Sequence, residues 1–97
     1  MSNVSNPRHV TAIMTELDQR DLLDELRDIC RQHGVMPAEV LGRSHMHCYA
    51  RARHHWWHHL YAKGCWSDTR IAILHGVQTS GVRCGRLAHE ARTKQAT

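Results

Sequence analysis

The chain has 97 residues, enough for one small domain, and its five aromatic side chains are three Trp and two Tyr, with no Phe. It contains no apolar run long enough to cross a bilayer and no signal-peptide core near Met1, so a soluble, cytoplasmic protein with no membrane partner is expected. The formal charge of +4 is unevenly spread: residues 1–42 carry 4 basic side chains against 7 acidic (net −3), while residues 43–97 carry 9 against 2 (net +7) and 8 of the 10 histidines.

Residues 1–8 are polar, contain Pro7, and read as a disordered arm. Val10, Ile13, Met14 and Leu17 recur at helical spacing, which predicts a short amphipathic helix within residues 9–20. It would pack on the domain or meet a second copy. Asp18 or Asp21 is expected to cap a helix reaching His33, with Leu22, Leu26, Ile29 and Cys30 as its apolar stripe. Asp24, Glu25, Arg27, Asp28 and Arg31 cover its other face, and Gly34 ends it in the left-handed position. Val35 to Gly42 reads as one short turn of helix with Pro37 at its first position.

Ser44 is expected to cap a central helix from about His45 to Lys63, stopped by Gly64. Tyr49, Ala52, Trp56 and Leu60 form its stripe, widened by Trp57 and Tyr61, with the histidines on its flanks. Cys65-Trp66 reads as a short connection. Ser67 then caps a helix ending near His75, with Asp68 favourable in its first turn. A last helix runs from about Thr79 to Arg92, with Val82, Gly85 and Ala88 facing inward, and residues 93–97 read as a frayed tail. The four cysteines form no C-x-x-C pair, which argues against a zinc ribbon and for reduced, small apolar residues.

The chain is organised around Ile71 to Val82, IAILHGVQTSGV. This spacing reads as a helix-turn-helix. Ala72 is small where two helices cross, Gly76 takes positive φ at the turn, Val77 plugs the corner, and Val82 faces back into the crossing. Such a pair points its second helix outward at a width that fits the DNA major groove. The same spacing also fits an ordinary helical hairpin. The surplus of positive charge lies in the part that carries the pattern, as polyanion binding requires.

From about Asp21 to Arg92 the chain resembles the C-terminal helix-turn-helix domain of the bacterial replication initiator DnaA, of the Trp-repressor-like superfamily. The matching stretches are HGVMPAEVLGRSH, the pair Ala52-Arg53, and Ser67-Asp68-Thr69-Arg70-Ile71-Ala72 followed by Gly76-Val77-Gln78-Thr79-Ser80-Gly81-Val82. The resemblance implies an all-α fold, a small helical bundle with a helix-turn-helix, docked on DNA as that family docks. The family's base-reading Asp-His pair falls on Gln78 and Thr79, the second of its two hydroxyl residues on Gly81, and its minor-groove arginine on His45, with Arg43 the nearby replacement. The initiator's target sequence is therefore not implied. No G-x-x-x-x-G-K-[ST] stretch is present, so its ATPase module is missing.

The expected partner is double-stranded DNA, read from Gln78, Thr79, Ser80, Arg83 and Arg86, with Arg51, Arg53, Lys63, Ser67 and Arg70 on the backbone and Arg43 or His45 at the minor groove. The alternative for Arg53 is to satisfy a buried carbonyl or carboxylate, and that for Thr79 or Ser80 is simply to cap the helix. A small transcription regulator is expected, of phage-like or mobile genes, acting as a homodimer or with a transcription-machinery or replication protein. Replication-associated or protein-recruiting use of the same fold is one alternative. Another is a metal-responsive regulator, since His54/His58 and His55/His59 are i, i+4 pairs, although each supplies only two ligands. No cofactor is implied. No nucleophile, base and orienting acid stand at recognisable spacing, so an enzyme is not expected.

Overall fold

The computed structural model describes residues 9–42 and 46–95; the expected arm, Arg43, Ser44, His45 and the last two residues lie outside them. Among the described residues six helices follow one another: α1 (Val10–Gln19), α2 (Leu23–His33), α3 (Pro37–Leu41), α4 (His47–Ala62), α5 (Asp68–His75) and α6 (Thr79–Gln95). No strand occurs among the described residues. The fold is an all-α bundle. Helix α4 runs through its centre against α2, α3, α5 and α6, and its most extensive contact is with α6.

Three of the helices stop in the same way. After α5, Gly76 takes φ 69° while its N–H reaches the Ile73 carbonyl and the Val77 N–H reaches back to Ala72. These are the two bonds of a Schellman turn, which satisfies carbonyls that the helix leaves open. Gly34 ends α2 identically, at φ 68° with Val35 N–H bonded to the Cys30 carbonyl. At the end of α1 the left-handed position is filled by Asp21, at φ 59°, with Leu22 N–H on the Leu17 carbonyl at 2.8 Å. The sequence offers Asp18 or Asp21 as the side-chain cap of α2, and Asp18 lies inside α1. Asp21 ends α1 instead, and α2 begins from Leu22 with no side-chain cap. Aspartate is tolerated in left-handed geometry, so one residue type serves either end of a helix.

Short α3 is fastened from both sides. Pro37 occupies its first position and the Glu39 carboxylate accepts the Met36 N–H at 2.7 Å. The other Glu39 oxygen accepts the Tyr49 hydroxyl of α4 at 2.6 Å. The tail differs from expectation: α6 continues to Gln95, and the Thr93 hydroxyl bonds back to the His89 and Glu90 carbonyls.

The core draws Ile13 and Leu17 from α1, Leu26, Ile29 and Cys30 from α2, Ala52, Trp56, Trp57 and Leu60 from α4, and Ile71, Ala72, Leu74 and Val82 from the last pair. Helix α1 thus packs on the domain. Trp56 is fully buried, and burying an indole contributes about 2–3 kcal/mol. Three side chains depart from expectation. Trp66 is no mere connector but is 7% exposed, beneath the Arg70 guanidinium at 4.7 Å. Tyr61 lies 40% exposed, with Arg86 stacked 3.7 Å above its ring. Val77 does not plug the corner; it stands at the surface beside a groove bordered by Gly42, Ala50, Trp57 and Gly81. Of the four free cysteines only Cys30 is buried.

Candidate nucleic-acid interface

The sequence places a short turn, Gly76 to Gln78, between α5 and α6, and the geometry of that turn fixes what α6 presents. Ser67 Oγ accepts the Arg70 N–H at 3.1 Å and so starts α5. The Schellman turn at Gly76 ends it, and the Gln78 carbonyl accepts the Gly81 and Val82 N–H groups, which starts α6. Val82 is fully buried and Ala72 nearly so, so the two helices cross closely. With Val82 and Gly85 held inward, the 3.6-residue period turns Ser80, Gly81, Arg83, Cys84 and Leu87 outward. Gln78 is exposed and Thr79 half-buried beside them. The N-terminal turn carries the helix's partial positive charge, and Arg83 stands next to it with a side chain 62% exposed.

Gly85 is what lets α6 lie against α4. A Cβ at this position would sit 2.6 Å from His54 Cδ2 and 2.8 Å from Trp57 Cε3 and Cζ3. No such pressure exists at Gly81, where an added Cβ meets nothing within 4 Å.

The expected site residues divide into two groups. Gln78, Thr79, Ser80 and Arg83 come together at the start of α6, and Arg51 is an exposed cation elsewhere on the surface. The other described ones are engaged within the fold. Arg86, side chain 12% exposed, donates from Nε and Nη2 to the two oxygens of Asp68 at 2.7 and 3.0 Å. Arg53 donates to the Val40 and Glu39 carbonyls at 2.7 and 3.3 Å, closing the end of α3. Lys63 is paired with Glu25 of α2 at 2.9 Å. Ser67 is spent on capping α5, and Arg70 donates to the Cys65 carbonyl while lying on Trp66. Arg43 and His45 fall outside the described residues. The guanidinium groups of Arg86 and Arg53 are thus engaged by the Asp68 carboxylate and by the Val40 and Glu39 carbonyls, the latter being the alternative that the sequence left open for Arg53.

Asp68 connects the two helices of the pair. It is 7% exposed, and its hydrogen bonds from Arg86, more than any other cause, hold its carboxyl below the usual aspartate value. Arg83 lies 3.4 Å from the same carboxylate, a longer approach that leaves most of its side chain in solvent. Sequence reasoning placed Asp68 only as a favourable first-turn charge.

A second tie lies beneath the turn. His75 is buried, its Nδ1–H donating to the Ile71 carbonyl at 2.8 Å, so that Nε2 accepts the indole N–H of Trp56 at 3.0 Å. The neutral ring thereby joins α5 to α4. Trp57 lacks such a partner among the described residues: its Nε1 is buried without a hydrogen bond there. No protein family, curated protein or solved structure matches the chain. Among the described residues no group of three or more His, Cys, Asp or Glu side chains is arranged to hold a metal ion. No helix of the described residues is long and apolar enough to cross a membrane.

Proposed function

We propose that this chain is a double-stranded DNA-binding module of the helix-turn-helix type, acting as a small transcription regulator. The supporting observation is the outward face of α6. Its first two turns combine exposed Gln78, Ser80 and Arg83 with a helix N-terminus, on a scaffold whose inward residues Ala72 and Val82 are buried at the crossing. Gln78 is suited to adenine and Arg83 to guanine or a phosphate, while the hydroxyls of Thr79 and Ser80 bond either bases or phosphates. Gly81, with no side chain, lets the backbone approach the duplex closely. Resemblance to the DnaA C-terminal domain belongs to this proposal, with Gln78 and Thr79 reading a sequence different from the initiator's. So does a dimer or a protein partner, because one such module makes few base contacts.

The reading is tested by selecting bound duplexes from a random pool. A DNA reader yields an enriched motif and loses affinity steeply between 50 and 200 mM salt, by about 10³-fold or more for six phosphate contacts. Arg83→Ala should weaken binding to the selected site by about 1–3 kcal/mol without lowering the denaturation midpoint. A pool that emerges unenriched, or an Arg83→Ala/Thr79→Ala variant with full sequence preference, would overturn it.

A further inference from the structure

Four histidines from three helices meet in one row on the side of α4 that faces α2 and α6. His33 Nε2 of α2 lies 3.0 Å from His55 Nδ1 of α4. The His55 ring stacks on His89 of α6, centroids 4.5 Å apart and planes 11° from parallel. His58 closes the row, 5.0 Å from the His89 ring. A fifth, His54, is approached through Nδ1 by Arg92 Nη2 at 3.3 Å. These contacts bind α2 and the C-terminal half of α6 to the middle of α4.

The His33–His55, His55–His89 and His54–Arg92 contacts each need at least one neutral imidazole. The His33–His55 bond joins one donor nitrogen to one acceptor, and a proton on the acceptor sets two N–H groups face to face. Arg92 can only donate, so His54 Nδ1 must accept, and protonation turns it into a second donor. Two imidazolium rings cannot stack in parallel at 4.5 Å without direct charge repulsion. We propose that this imidazole row is an acid-operated latch: neutral, it ties α2 and the end of α6 to α4, and protonated, it lets them part.

The surrounding charges favour that behaviour. On α2 the row faces His33, with Glu25 turned to His59 and Lys63 at its edge. On α4 it faces Arg51, Arg53 and His59 beside its own rings. On α6 Arg92 adds positive charge, and Glu90, 3.1 Å from His58, offsets it in part. Burial first, then these cations and neighbouring rings, pull His54 and His55 down to about 4 and lower His33 and His89 as well. A depressed imidazole leaves stability intact above its ordinary value near 6.5 and withdraws it as pH falls from there toward the folded value. One ring lowered to about 4 reduces the folding constant roughly 30-fold between pH 7.5 and 5.0.

The test uses the intact chain without DNA, so it stands apart from the proposed function. Imidazole titration by NMR should leave His54 and His55 neutral at pH 5.5. Amide hydrogen exchange at pH 5.0 should show α2 and the C-terminal half of α6 losing protection while α5 keeps its own. His55→Gln and His89→Gln should each weaken the pH dependence of the denaturation midpoint. Ordinary titration of His54 and His55, or protection lost equally across all helices, would overturn the proposal, and both are read on the wild-type chain if a variant fails to fold.

Discussion

Replacing Gly85 by alanine sets two known effects against each other. Carbon atoms in contact lie about 3.5–4.0 Å apart, so a Cβ placed 2.6 Å from His54 and 2.8 Å from two Trp57 ring atoms forces a shift of close to 1 Å. Trp57 is only 6% exposed, packed in the core apart from the groove it borders with Gly42, Ala50 and Gly81. Overpacking of this kind costs about 1–3 kcal/mol, and three ring contacts at once put this site toward the upper end. Alanine returns up to about 1 kcal/mol of helix propensity. The net expectation is a loss of about 1–2 kcal/mol, or several degrees in Tm for a domain of this size. Gly81→Ala is the matched control, since its Cβ meets nothing within 4 Å and only the propensity gain remains. The assay is urea denaturation followed by tryptophan fluorescence at neutral pH. Gly81→Ala should raise the midpoint and Gly85→Ala lower it. A Gly85→Ala protein as stable as wild type would mean that α4 and α6 do not cross this closely.

Asp68→Asn should destabilise by about 2–3 kcal/mol at neutral pH, because the nearly buried Arg86 loses the nearer of its two carboxylate partners among the described residues and keeps only Glu90 at 3.4 Å. The Asp68 pKa is lowered by Arg86, so its contribution is present above the ordinary value of 3.8 and lost as pH falls through the lowered value; acid titration of the variant should lack that component. Trp57→Phe removes an indole N–H with no hydrogen-bond partner among the described residues and should cost less than about 1 kcal/mol, whereas Trp56→Phe removes the N–H that His75 Nε2 accepts and should cost about 2–4 kcal/mol. Equal midpoints for those two variants in thermal melts would contradict the assigned bonding. Asp21→Gly relieves a left-handed backbone on a non-glycine residue and should stabilise by about 0.5–1 kcal/mol in the same melts; a lower Tm would mean that the Asp21 side chain contributes more than its backbone costs.

The sequence by itself determined the helices and most of their ends. Gly34, Gly76, Pro37 and Ser67 each act within four residues of their own position, and their roles follow from backbone sterics and capping alone. The apolar stripes through Leu26, Ala52, Trp56, Leu60 and Val82 were legible for the same reason: helical period fixes a face before any partner is known. Asp21 escaped because aspartate suits both ends of a helix, and only the bond from Leu22 back to Leu17 distinguishes them.

Tertiary structure alone decided what the polar side chains do. Arg83 and Arg86 look alike in sequence, and the candidate surface keeps one and loses the other because Asp68, fifteen or more residues away, lies against a single side of α6. His33, His55 and His89 become one row only when three helices take a particular rotation about their axes. Histidine carries no fixed burial preference, so its spacing along α4 announces neither a flank nor a seam. Local rules act along the backbone; pairings between distant side chains depend on how one helix is turned against the next, and that angle is set by packing, at contacts such as the bare Cα of Gly85 against Trp57.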